Sequence, residues 1–240
     1  MTTPLSPGAV SQFAVLDALL GGVYSQGIAA RDVRALGDTG IGCCEGLGGE
    51  VILIDGDLLE CTADGPPRLM DDDEVLPFAD VCTIGPSPAV PTDRGDLAVF
   101  RALVEERLRS RNLFHAVRWD GTIDRIRTRV TRRQSPPLRP LADVAAEQIE
   151  TETVAVEGSF VGFWMPRIYQ GITVAGLHLH FISADRSVGG HVLEADLGPG
   201  LLRVTAFADF HLRVPTDDRF LATELSHDDD HRIVAVENGE

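Results

Sequence analysis

The sequence predicts an α+β fold, built from mixed and antiparallel β-sheets with a few helices and arranged as two closely packed subdomains. Three observations carry that expectation. Apolar residues recur at helical spacing only in short stretches, of which Asp96 to Arg111 is the longest. From Glu50 onward, and again after Gly158, the text changes to short strand-like runs punctuated by Gly, Pro and Asp. Between them Pro136, Pro137 and Pro140 interrupt regular structure. The expected boundary therefore separates an N-terminal α/β subdomain, residues 1–140, from a mostly β C-terminal subdomain, residues 141–240.

In chain order, Gln12 to Leu20, with Gly21 and Gly22 behind it, predicts a short amphipathic helix with a glycine stop. Arg31 to Leu36 supplies a second helical turn ahead of the Gly-rich segment Gly37 to Glu50. The run EVILIDGDLLECTADG predicts two strands joined by a tight turn at Asp55-Gly56. Asp71 to Glu74 is an acidic run expected in a solvated loop, since nothing fixes its carboxylates around an ion. Asn112 to Trp119 and Ile123 to Thr131 are expected strands. After Gly158, the segments SFVGFWMP, GITVAGLHLHFIS, GGHVLEADL and GLLRVTAFADFHLRV predict separate strands of a mostly antiparallel sheet.

With 240 residues, 44% hydrophobic and 24% charged, the chain can bury a sizeable core and reads as an ordinary globular protein. A formal charge of -16 repels a phosphate backbone, which argues against nucleic acid as a partner. No apolar run approaches the roughly 20 residues of a membrane span. The opening residues also lack a basic n-region, so a cytoplasmic location with no membrane partner is expected. Cys43, Cys44, Cys61 and Cys82 show neither a CxxC pair nor the spacing of a disulfide framework, and reduced core thiols are the simplest expectation.

All 21 basic residues are arginine. Without a lysine amine, side-chain Schiff-base chemistry is excluded, and pyridoxal-phosphate and lysine-imine decarboxylases go with it. The arginines between Arg125 and Arg139 are read mostly as a solvated basic face, one able to lend a group to an acidic substrate.

The segment from Gly176 to His191, GLHLHFISADRSVGGH, is the most informative. On a strand, residues two apart share a face, so His178 and His180 project together. A turn within Ala184 to Gly190 then brings His191 opposite or diagonal to His180. A lone inward histidine is usually a satisfied core residue, but three converging on one point suit zinc and leave a coordination position open. His115, His211, His227 and His231 have no such spacing and are read as surface or structural residues.

GLHLHFISADRSVGGHVLEADL resembles the signature of the alpha-acetolactate decarboxylase family. The resemblance extends in order through LDALLGGVYSQG, GDTGIGCCEGLGGEVILIDGDLLECTADG, LPFADV, TRVTRRQSPPLRPL and GSFVGFWMPRIYQGITVAGLHLHF. It implies a zinc enzyme with His178, His180 and His191 as ligands, and catalytic roles for Arg129 and Glu50, which the N-terminal subdomain carries. It also implies that Glu237, in VAVENGE, returns to the metal site. It implies, too, a homodimer acting on acetolactate. The chain departs from the family at Cys43 and Cys44, where threonine and an aromatic are usual; this sets Cys43 against the substrate. The usual tyrosine after the proline near Gln134 is also missing.

The implied reaction is decarboxylation of (S)-2-acetolactate to (R)-acetoin and carbon dioxide through a metal-stabilised enediolate. Arg129 would hold the carboxylate or developing oxyanion, and Glu50, Glu237 or Arg129 would control the proton. A cupin-like oxygenase or isomerase also uses an HxH strand with a later His. That pattern normally has a Glu shortly after the second His, where this chain has Ser183, Ala184 and Asp185. A non-catalytic metal- or sugar-binding module would close its zinc with a fourth ligand, often cysteine, and no cysteine is near these histidines in sequence.

Overall fold

The computed structural model describes residue 3 and residues 5–225. Its first half contains β1 (Ala9–Phe13), α1 (Leu16–Leu20), β2 (Ile28–Ala29), α2 (Ala30–Arg34), β3 (Thr39–Cys43), β4 (Gly49–Ile54), β5 (Asp57–Thr62), β6 (Arg68–Leu69), β7 (Val75–Leu76), β8 (Phe78–Cys82), β9 (Val90–Thr92) and β10 (Gly95–Asp96). Then follow α3 (Leu97–Arg107), β11 (Phe114–Val130), α4 (Leu141–Ala145), β12 (Ile149–Met165), β13 (Gly176–Ser183), β14 (Gly189–Phe207), β15 (Asp209–Arg213) and α5 (Asp218–Ala222). The class is α+β with mixed and antiparallel sheets, as expected. Among the described residues, no helix is long and apolar enough to cross a membrane.

Local chemistry explains the best-defined elements. Asp55 and Gly56 both take left-handed backbone conformations (φ 53° and 88°), the geometry a two-residue hairpin turn needs between β4 and β5. In α3 the Asp96 carboxylate accepts the Val99 N–H at 2.8 Å, and Leu97, Phe100 and Val104 fall on one buried stripe.

Seven strands form one sheet in the order β15-β1-β8-β3-β4-β5-β6, antiparallel except for the parallel β1–β15 pair. A second, antiparallel sheet has the path β10-β14-β11-β12-β13, with β9 on β14. In it β13 pairs with β12 on one side and with the first residues of β14 on the other, so β11 to β14 close into a ring.

Three apolar clusters layer this arrangement. Ile41, Ile52, Val161, Phe163 and Ile182 belong to the cluster shared by the two sheets. Helices α1, α2 and α4 pack with Val51, Leu53 and Phe78 in another, while α3 packs on Trp119, Phe160 and Phe181 in the third. Burying such side chains stabilises by roughly 1.5–3 kcal/mol each.

Several expectations are corrected. The predicted helix over Gln12 to Leu20 is helical only from Leu16; Gln12 and Phe13 end strand β1, and Ala14 turns the chain with φ 66°. The alternating burial of Ala9 to Gln12, with Gln12 opposite Asp80 of β8, is a strand pattern that the following leucines mask. The two strands expected across Asn112 to Thr131 are one, β11, which passes Gly121 on register shifts without breaking. GGHVLEADL and the first part of GLLRVTAFADFHLRV likewise merge into β14.

Candidate metal centre and catalytic pocket

The site is made where a row of residues on each sheet meets the other. Directly paired residues on neighbouring strands project from the same face. Across β11, β14 and β13 the register places Arg129 opposite His191 and His191 opposite His180. Across β3, β4 and β5 it places Cys43 opposite Glu50 and Glu50 opposite Cys61. Glu50 spans the gap: one carboxylate oxygen lies 3.8 Å from Arg129 Nη1 and the other 3.4 Å from His180 Nε2.

The turn that returns His191 is built from its own side chains. Ser183 Oγ donates to Asp185 Oδ1 at 2.7 Å and accepts the N–H groups of Ser187 and Val188, each at 3.0 Å. Ser187 donates to the same Asp185 oxygen through both N–H and Oγ, and these bonds hold the Asp185 carboxyl down at about 2. Next to it, Gly190 lets β14 approach β11 closely, because a Cβ there would stand 2.6 Å from the Arg129 carbonyl oxygen.

Ligand atoms of His178, His180 and His191 all lie within 4.8 Å of one another, and this group could hold a metal ion. His178 Nε2 and His191 Nδ1 are 3.1 Å apart. His180 Nδ1 donates to the Val51 carbonyl at 2.9 Å, which fixes the tautomer and leaves Nε2 as the lone-pair nitrogen. That Nε2 is buried and has no hydrogen-bond partner among the described residues. An acceptor nitrogen held from behind and turned toward the Glu50 carboxylate at 3.4 Å fits a metal ligand.

Burial also keeps two of these rings neutral: it pulls His180 down to about 3 and His178 well below its ordinary value, with Arg129 adding repulsion at both. The opposite effect acts on Glu50, where burial raises the carboxyl to about 7 against the pull of Arg129. The pocket over these groups has walls of Leu16 and Leu19 from α1, Leu141 from α4, and Phe78 and Val174. Cys43, half-buried, and Thr131, whose hydroxyl donates to the Leu47 carbonyl at 2.6 Å, line it as well.

Thus His178, His180, His191, Arg129, Glu50 and Cys43 come together, and Glu237 lies outside the described residues together with His227 and His231. His115 is fully buried; its Nε2 accepts the Arg109 N–H at 3.1 Å, and desolvation holds it at about 4. His211 is exposed. Among the arginines from Arg125 to Arg139, only Arg129 is buried in the site; Arg125 and Arg127 pair across strands with Glu150, Glu152, Glu194 and Asp196. Sequence reasoning missed the Val51 carbonyl and the α1 and α4 walls. A backbone acceptor has no residue signature, and leucines on short helices look like any core.

The family model for alpha-acetolactate decarboxylase matches residues 10–227. The alpha-acetolactate decarboxylase of Methylococcus capsulatus is 34% identical over 95% of this chain and 88% of its own. That of Bacillus licheniformis is 33% identical over 91% and 87%. A crystal structure of alpha-acetolactate decarboxylase from Bacillus subtilis superposes with a TM-score of 0.93 at 29% identity, covering 97% of this chain and 100% of that one. Sequence and fold agree over nearly the whole length, and the chain belongs to the alpha-acetolactate decarboxylase family.

Proposed function

We propose that the protein decarboxylates (S)-2-acetolactate to (R)-acetoin and carbon dioxide, using zinc held by His178, His180 and His191. The reading rests on one observation above others: in a chain of this family, three imidazoles converge on a point faced by a guanidinium and a carboxyl. Nitrogen donors favour zinc, and three protein ligands leave a position for substrate. A divalent ion bound there supplies Lewis-acid stabilisation for charge developing on the ketone and hydroxyl oxygens.

The chain's own groups do the rest. Arg129 offers paired donors that hold the substrate carboxylate. Breaking the bond to that carboxylate releases carbon dioxide and leaves its electron pair on the α-carbon, from which the neighbouring ketone takes it up as an enediolate. Glu50 holds a proton at its carboxyl beside that carbon, and its delivery to one face of the enediolate gives a single acetoin enantiomer. Glu237 shares control of the proton on the strength of the family resemblance. Cys43 contacts the substrate in place of the usual hydroxyl, and the Leu16, Leu19 and Leu141 walls exclude water and receive the substrate's methyl groups.

The same reading makes the protein a cytoplasmic homodimer, which cell fractionation and light scattering test. The decisive assay gives the zinc-loaded protein racemic acetolactate and follows acetoin and its handedness by chiral chromatography. Formation of (R)-acetoin that stops on chelation and returns with zinc is expected. Absence of acetoin, or formation of it at the same rate after complete metal removal, overturns the proposal.

A further inference from the structure

A second pocket opens where β12 ends and β13 begins, with about 740 Å³ of empty space, part of it open to solvent. Its lining includes Arg111, Trp164, Met165, Arg167, Gln170 and Gly176, and its polar side chains are all hydrogen-bond donors as they stand. Gln170 spends its carbonyl oxygen on the Ala175 N–H at 2.9 Å, which turns the amide's donor end free for other contacts. The Trp164 indole N–H is buried and donates to nothing among the described residues.

Arg111 lies over the Trp164 ring at 5.5 Å and donates from one terminal nitrogen to Glu105 at 2.5 Å, leaving its other N–H groups for a ligand. Arg167 is exposed and forms no salt bridge among the described residues. That is unusual here, because most of the other arginines pair with acids in a chain of net charge -16. Donors outnumbering acceptors, gathered around an indole, a methionine and open space at Gly176, match an anion that carries an apolar body.

We propose that this pocket binds a small organic monocarboxylate, its carboxylate on Arg167 and Arg111 and its apolar body against Trp164 and Met165. The guanidinium fork fits a planar carboxylate through two parallel bonds. The Trp164 and Gln170 N–H groups complete the set. The site is separate from the histidine cluster and needs no metal.

Calorimetric titration of the zinc-loaded protein with cyclohexanecarboxylate, and with the neutral cyclohexanecarboxamide, tests this. Saturable binding of the carboxylate, little of the carboxamide, and roughly tenfold weaker binding in Arg167→Glu are expected. Arg167→Gln should fall between, and both variants should keep wild-type acetolactate turnover without the probe, showing that the fold survives. No saturable heat, equal binding of the carboxamide, or unchanged binding in Arg167→Glu would overturn the proposal. The last result would place the probe at the histidine site instead.

Discussion

Asp80 offers a test of how the two sheets are held together. It sits on β8, fully buried, opposite Gln12 of β1 and Ile41 of β3. Among the described residues, one carboxyl oxygen has no hydrogen-bond partner, and neither has the Gln12 side-chain carbonyl, whose amide donates to Ala14 and Ile172 at 2.7 Å each. Burial alone raises Asp80 from 3.8 to about 8. The folded protein therefore keeps a proton that the unfolded chain loses above about pH 4, and stability falls as pH rises between these limits. The slope is at most about 1.4 kcal/mol per pH unit from this one group, or on the order of 5 kcal/mol across the window.

Asp80→Asn removes the titration while nearly preserving shape, and its amide can donate to Gln12. Urea unfolding of both proteins across a pH series measures the difference directly. The variant should match the wild type within about 1 kcal/mol near pH 4 and exceed it by several kcal/mol near pH 8. A gap that stays constant with pH would refute the reasoning, because then the carboxyl ionises in the fold as easily as in the unfolded chain.

Other substitutions separate the site's parts. His178→Ala should lose most bound zinc and most turnover together, read by metal analysis and acetoin formation; full zinc with full turnover would sink the ligand assignment. Arg129→Ala should keep its zinc and lower turnover by roughly a hundredfold or more, since a buried charge-assisted contact to the carboxylate goes. Glu50→Gln should retain the ion and lose a factor of about 10²–10⁴ in turnover, as measured by steady-state acetoin production; an unchanged rate would assign the proton to another group.

Much of this site was legible because strand geometry is simple. His178 and His180 share a face by their spacing alone, and a turn within Ala184 to Gly190 was enough to place His191 opposite His180. The hairpin at Asp55-Gly56 was equally plain. The opposing row was not: nothing in the order of residues says that Cys43, Glu50 and Cys61 lie across from Arg129, because that depends on how one sheet docks on the other. Family resemblance supplied Glu50 and Arg129 where residue patterning could not. The Gln12 error has the same origin, as a strand of five residues running into a helix of five presents one continuous apolar run.

The closed circuit of β11 to β14 has a consequence for how the three histidines are kept together. A strand at an open border can peel away, releasing what it carries while the remainder stays intact. Here the strand bearing His178 and His180 has a neighbour on each flank, one of which brings His191. Separating His191 from His180 thus requires opening a closed circuit instead of peeling a border. The three imidazoles should therefore keep their places whether or not an ion sits between them, and amide exchange along β13 should be as slow without metal as with it.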